Sequence, residues 1–118
     1  MTHEIEMRKD GILRIAFIGD VDDKDMEAYN EDLVPYIEAA TPEKPLLTLA
    51  DSARSGKFSS AARKSFLSQN NDPRIGKAAV IGASRYTRVL ASFVLKATGR
   101  GNVRFFDSEE QAVAWLKS

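Results

Sequence analysis

The sequence predicts a single α/β domain over residues 1–118, in the order β-β-α-β-α-β-α-β-α, with helices packed against a mixed, mostly parallel sheet. Three observations predict it. A turn dipeptide near the start joins two alternating segments, which is a hairpin signal. Short apolar runs then alternate with stretches of helical period, the pattern of right-handed parallel crossovers. No repeat, low-complexity tract or linker divides the 118 residues, an ordinary length for one domain. The hairpin-paired first strand is expected to lie antiparallel at an edge.

Residues 3–7 alternate polar and apolar, with Ile5 and Met7 on one face. Asp10-Gly11 signals a type I′ turn, because both residues tolerate positive φ. The second strand, 12–18, puts Leu13, Ile15 and Phe17 on one side. Gly19–Asp23 breaks the pattern, and Asp22 can cap a helix with Asp25 in its first turn, where negative charge is favourable. Met26, Tyr29, Leu33, Tyr36 and Ile37 then recur at helical spacing. Pro35 removes a backbone donor inside that pattern, so a kink or restart is expected there. Thr41-Pro42-Glu43-Lys44-Pro45 ends the helix.

The apolar run 46–50 reads as a buried strand. Ser59 or Ser60 caps a second helix that runs through Gln69 with Ala62 and Phe66 inward, and residues 70–73 terminate it. Residues 78–81 form the next strand. Ser84 caps a third helix whose apolar stripe is Tyr86, Val89, Leu90, Phe93, Val94 and Ala97, with Gly99 as its stop. Residues 103–106 are the last strand. Ser108 and Gln111 form a capping box for a final helix that buries Ala112, Val113, Trp115 and Leu116.

Composition narrows the chemistry. The chain is 43% hydrophobic and 29% charged, enough apolar material for one core without cross-links. It has no cysteine, which excludes disulfides, thiolate nucleophiles and cysteine-ligated zinc. The charged N-terminal stretch does not read as a signal peptide, and no apolar run approaches the ~20 residues that span a bilayer, so a cytoplasmic location is expected. Residues 1–53 carry 13 acidic and 5 basic side chains, and residues 54–118 carry 4 acidic and 12 basic. Either the halves interleave in the fold, or the surface is bipolar and steers an anionic partner or pairs two subunits.

The residue sets that catalysis requires are thin. The only histidine, His3, lies near the chain end, so no activated serine is expected. The Asp20, Asp22, Asp23, Asp25 group suits helix capping and lacks the spacing of a calcium loop. Gly99-Arg100-Gly101-Asn102 lacks the phosphate-loop pattern and reads as a helix stop and turn. The basic residues of 54–104 are spread over several elements with no aromatic ladder between them, which argues against nucleic acid. No metal or cofactor is expected, and the protein reads as non-enzymatic.

Two surface features remain. Arg85, Arg88, Ser92 and Lys96 make a basic stripe on the third helix, and Ser84 sits at its anion-friendly start. That stripe is either a solvated face or a site for an anion or acidic partner. Ala91 and Leu95 lie outside the core stripe and fit either a subunit contact in a homodimer or cover from a loop.

The order of elements, with Asp51-Ser52 ending the third strand, resembles the STAS domain, and within it the SpoIIAA-like branch. The strand Ala78-Ala79-Val80-Ile81-Gly82, the helix from Ser84 to Gly99, the strand Val103-Arg104-Phe105-Phe106 and the closing Glu109–Leu116 segment carry the likeness. The branch is also compared with lipid-binding CRAL-TRIO domains. The resemblance implies a bacterial regulatory module that recognises a protein partner. It also implies, as alternatives, a carrier of a small apolar or anionic ligand, with a cavity lined by Phe17, Phe66 and Phe93, or a phospho-switched antagonist. In antagonists the third strand enters a D-S-S-G turn whose first serine is phosphorylated, and Ser52 matches that serine. Here Ala53–Phe58 replaces the S-G turn, and Ser52 reads first as a turn residue, with phosphorylation the alternative. A phosphate on Ser52 would lie near the start of the following helix, with Arg54 and Lys57 in the same loop.

Overall fold

The hairpin that opens the chain forms as expected, but around a different turn. In the computed structural model, which describes residues 2–69, 72–98 and 102–118, β1 (Thr2–Met7) pairs antiparallel with β2 (Ile12–Val21). Within the turn Gly11 alone takes positive φ, at 84°. The Gly11 N–H donates to the Arg8 carbonyl at 3.1 Å, and the Arg8 N–H donates to the Ile12 carbonyl at 2.9 Å. This is the longer hairpin loop, a turn closed by one left-handed glycine, in place of the predicted type I′ pair. Asp10 keeps a negative φ, and its carboxylate accepts the Ile12 N–H at 3.3 Å and meets Arg8 at 3.1 Å.

Eight further elements follow: α1 (Asp23–Glu38), β3 (Leu46–Asp51), β4 (Ser55–Phe58), α2 (Ser60–Gln69), β5 (Ile75–Ile81), α3 (Arg85–Thr98), β6 (Val103–Phe106) and α4 (Glu109–Leu116). The order is therefore β-β-α-β-β-α-β-α-β-α, one strand more than the sequence suggests. The sheet runs β1-β2-β3-β5-β6, with β1 antiparallel at one edge and the remaining pairs parallel. The extra strand, β4, pairs parallel with the end of β2 through Gly19↔Ser55 and Val21↔Phe58. Ser-Gly-Lys-Phe carries little strand propensity. It extends because β2 runs on to Val21 and offers free backbone groups, and the Asp20 carboxylate accepts the Lys57 N–H at 2.8 Å.

The helices cap as predicted in most places. Asp22 and Asp25 exchange backbone bonds of 2.9 Å each, a complete capping box. The Ser59 Oγ accepts the Ala62 N–H at 3.0 Å, so Ser59 is the cap of α2. Ser108 accepts the Gln111 N–H at 3.2 Å, which is the serine half of the expected box. α1 runs through Pro35 without restarting. Glu31, whose carbonyl loses its partner there, and Pro35 are both exposed, so water can take up the freed acceptor.

Two apolar layers hold the sheet. On one face Leu13, Ile15, Phe17, Ala50, Ala78 and Val80 meet Met26, Tyr29, Leu33 and Ile37 of α1 and Ala62 of α2. On the other, Ile12, Leu49, Ala79 and Ile81 meet Ala112 and Leu116 of α4. Val113 and Trp115 are half-buried against that second cluster. The start of α3 departs from its predicted phase. Tyr86 is 73% exposed and Val89 50%, while Thr87 faces the sheet side beside Phe105 and Val80. Periodicity fixes the spacing of a stripe, and one residue of phase turns it by about 100°. The side chains of Leu90, Phe93, Val94 and Ala97, and Gly99 itself, lie outside the described residues.

Strand order decides the charge question. The first half of the chain supplies β1, β2 and β3 with acidic α1, and the second half supplies β5 and β6 with basic α3, but β4 and α2 of the second half lie against β2 and α1. A few ion pairs cross between halves, as Arg54–Glu4 at 3.2 Å and Lys117–Asp10 at 3.1 Å. The halves therefore interleave in part, and charge stays segregated only between acidic α1 and basic α3, which have α2 between them.

Candidate functional site: the Ser52 groove

β3 and β5 are parallel neighbours in a register that pairs Asp51 with Ile81, so their C-terminal ends lie side by side. In open α/β sheets that edge is where ligands and partners are met. Two turns leave it. One is the β3–β4 turn from Ser52 to Arg54, and the other is the β5–α3 turn from Gly82 to Ser84.

Hydrogen bonds lock the turns together. Ser52 donates twice to the Ile81 carbonyl, from its N–H at 2.9 Å and its Oγ at 3.1 Å. The Ser55 Oγ donates to the Ser52 carbonyl at 2.7 Å. Asp51 holds the turn from beneath: Oδ1 accepts the Ala53 N–H at 2.9 Å, and Oδ2 accepts Arg14 Nη2 at 2.8 Å. Arg14 also donates through Nε to Glu109 at 3.0 Å, tying the turn to the start of α4. Partial burial pulls the Arg14 guanidinium downward, but its bonds to Glu109 and Asp51 outweigh that and raise its pKa above the ordinary value. Gly82 has φ of 73°, and a Cβ there would lie 2.6 Å from the Ala53 nitrogen. Only glycine lets the two turns touch.

Between the turns lies a groove of about 220 Å³, lined by Ser52, Ser55, Phe58, Gly82, Ser84 and Thr87 among others. The Ser84 Oγ accepts the Thr87 N–H at 3.1 Å and so caps α3. Below the groove, sharing Ser52, Phe58, Ala83 and Thr87 with it, is an apolar cavity of about 60 Å³. Phe17, Phe58, Phe66, Phe105, Ala50 and Val80 line the cavity. Phe17 meets Phe58 and Phe66 edge-on, with ring centroids 5.4 and 6.2 Å apart.

The fold thus brings Ser52 and Ser84 to one groove. It does not bring Ser52 to the start of α2, as the sequence suggested, because β4 stands between them and the helix start beside Ser52 is that of α3. Arg54 reaches Glu4 across exposed surface, and the Lys57 N–H is held by Asp20. Arg85, Arg88 and Ser92 line a separate shallow depression along α3, where Arg88 donates to Asp107 at 3.0 Å. Lys96 is exposed and is not among the residues lining that depression. The side chains of Ala91 and Leu95 lie outside the described residues, as does that of Phe93, named for the cavity.

His3 sits on β1 and bonds Asp32 at 2.6 Å, edge-on to Tyr29. It does not line the groove. Asp22 and Asp25 are spent in the capping box, where the Asp22 backbone N–H holds the Asp25 carboxyl below the usual carboxylate range. Among the described residues no three His, Asp or Glu side chains cluster as a metal site. No described helix is long and apolar enough to cross a membrane. Sequence reasoning missed Asp51 as the anchor of the turn, along with Ser55, Gly82 and Thr87. A glycine directly after an apolar strand run, as in Val80-Ile81-Gly82-Ala83-Ser84, was the available signal.

A sequence-family model described as SpoIIAA-like matches residues 12–117. No curated protein sequence matches the chain. Among solved structures, an uncharacterized protein with a SpoIIAA-like fold from Shewanella loihica is 21% identical, covers 98% of this chain and 92% of its own, and superposes with a TM-score of 0.70. The anti-sigma factor antagonist SpoIIAA in its unphosphorylated form is 15% identical, covers 99% of each chain and gives 0.73. An anti-sigma factor antagonist from Mycobacterium paratuberculosis is 14% identical, covers 99% of this chain and 94% of its own, and also gives 0.73. At these identities the likeness to the solved structures is one of fold.

Proposed function

The chain belongs to the SpoIIAA-like family, and from that premise we propose that it is a non-enzymatic regulatory module that binds a protein partner through the Ser52 groove. One observation carries the reading. Ser52 is half-buried at the C-terminal edge of a central strand, and its hydroxyl is held in the same groove as the Ser84 cap of α3. A hydroxyl in that position would act as a switch if a kinase phosphorylated it. A phosphate would break its bond to the Ile81 carbonyl, set about two negative charges against a carbonyl oxygen, and be drawn instead to the positive start of α3, in competition with the Ser84 cap. Phosphorylation would therefore reshape the groove without unfolding the sheet. The fold likeness to anti-sigma factor antagonists supports a regulatory role of this kind.

The apolar cavity favours a second reading, a carrier of a small apolar ligand. Its lining is right but its volume of about 60 Å³ is not. Sites for drug-sized ligands measure ~300–1,000 Å³, so an acyl chain would require α3 to move away from the sheet.

Native mass spectrometry of the protein purified gently from its own host tests both. We expect a complex with a different protein, and the mass of one phosphate on Ser52 in the fraction that lacks it. A stoichiometric apolar small molecule with no protein partner would overturn the first reading in favour of the second.

A further inference from the structure

We propose that a second copy of this chain docks on the outer surface of the helix layer, its acidic α1 over α3 of the first, with the reciprocal contact closing the pair about a two-fold axis. The inference uses neither the Ser52 groove nor phosphorylation.

The helices α1, α2 and α3 form a row on one face of the sheet, α1 packed on α2 and α2 on α3. The ends of the row are opposite in charge. α1 carries Asp23, Asp25, Glu27, Glu31, Asp32 and Glu38 against Lys24, whereas α3 carries Arg85, Arg88 and Lys96 and no acid. Among the described residues Glu27, Glu31, Arg85 and Lys96 have no ion-pair partner, and all four are exposed.

Each end also exposes apolar surface: Val34, 45% accessible, on α1, and Tyr86 and Val89, 73% and 50%, on α3. An exposed tyrosine flanked by arginines is the composition of an interface centre. The occupant that fits it is a helix with an acidic stripe and an apolar residue, and the chain supplies one in its own α1.

Turning a second copy antiparallel over the row sets both acidic ends on both basic ends. The two contacts are identical, so the assembly is isologous and closes as a dimer. Parallel stacking would set like charges together and is disfavoured. The molecule measures 32 × 26 × 26 Å, and a face of that size can bury the ~800 Å² per partner of a standard interface.

Sedimentation velocity of the full chain, from micromolar to millimolar concentration and at low and high salt, tests it. A dimer is expected at low salt, with its dissociation constant weakened about tenfold or more at 0.5 M salt, where charges are screened within a few ångströms. Arg85→Glu with Lys96→Glu, and separately Glu27→Lys with Glu31→Lys, should each weaken self-association about tenfold or more. Circular dichroism checks that both variants fold. An equimolar mixture of the two should restore a dimer, since each then carries the charge the other lacks. A monomer at every concentration in low salt overturns the proposal and leaves the α3 face to an acidic partner of another kind. A dimer indifferent to salt and to both reversals overturns it too, because its contact then lies elsewhere.

Discussion

Gly82→Ala should be among the most damaging single-methyl changes in this protein, and the structure says by how much. Gly82 sits at φ of 73°, where a side chain costs about 1–2 kcal/mol on backbone grounds alone. A Cβ there would also lie 2.6 Å from the nitrogen and 2.8 Å from the Cα of Ala53. Those are backbone atoms, pinned by the Asp51 carboxylate and the Ser52–Ile81 bonds, so relief requires the two turns to part. Overpacking of that kind typically adds about 1–3 kcal/mol. The expected total is about 3 kcal/mol. Gly11→Ala is the control, because Gly11 has φ of 84° with nothing within 4 Å of the added atom. It should cost only the backbone share, about 1–2 kcal/mol. In urea, with a slope of ~1–2 kcal/mol/M, the two variants should differ in midpoint by roughly 1 M. Equal losses for Gly82→Ala and Gly11→Ala would refute the reasoning, because the Ser52 and Gly82 turns would then not be in contact.

Other consequences follow from single groups. Ser52→Ala removes one neutral hydrogen bond, but the Ile81 carbonyl keeps the Ser52 N–H, so the loss by urea titration should stay near ~0.5–1 kcal/mol. Ser52→Asp should cost more, since it sets a carboxylate against that carbonyl. Asp22→Ala should lower stability by about 1 kcal/mol through loss of the α1 cap. Asp25 is held below its ordinary value of 3.8 by the Asp22 N–H, so its contribution is full above that pH and fades as pH falls through the lowered value. An acid titration of Asp25→Ala should accordingly be less steep than that of the wild type. Tyr29 is fully buried, and burial raises its pKa above the ordinary value of 10. The unfolded chain therefore loses a proton that the folded one keeps, and stability should fall as pH rises above about 10. Tyr29→Phe should remove that alkaline loss, read by denaturation across pH.

The fold was legible wherever one local signal sufficed. The period-2 alternation of 3–7 and 12–18, the capping residues Asp22, Ser59, Ser84 and Ser108, and the apolar runs of β3, β5 and β6 each carry their own evidence in sequence. β4 was illegible because its four residues extend only against the overrun of β2, a contact between segments over thirty positions apart. The outward turn of Tyr86 and Val89 at the start of α3 was illegible for a related reason. The sequence shows an amphipathic helix, but the orientation of its first turn is set by the turn at Gly82 that leads into it. Ser52 could be named from its neighbour Asp51, yet its surroundings could not. The nearest helix start in space is that of α3, not of the next helix in the chain, because parallel crossover topology sets β5 beside β3. The charge asymmetry was visible as a count. The separation of acidic α1 from basic α3 became clear only with the helix order, α2 standing between them.

The most direct test of the Ser52 groove as the partner surface is the affinity of wild type, Ser52→Ala and Ser52→Asp for the protein recovered with the chain from its host. Wild type and Ser52→Ala are expected to bind alike, with Ser52→Asp weaker by about tenfold or more, since a charge beside an otherwise matched contact costs on that scale. Equal binding by all three, in variants shown to be folded, would contradict the account and move the partner surface off the Ser52 groove.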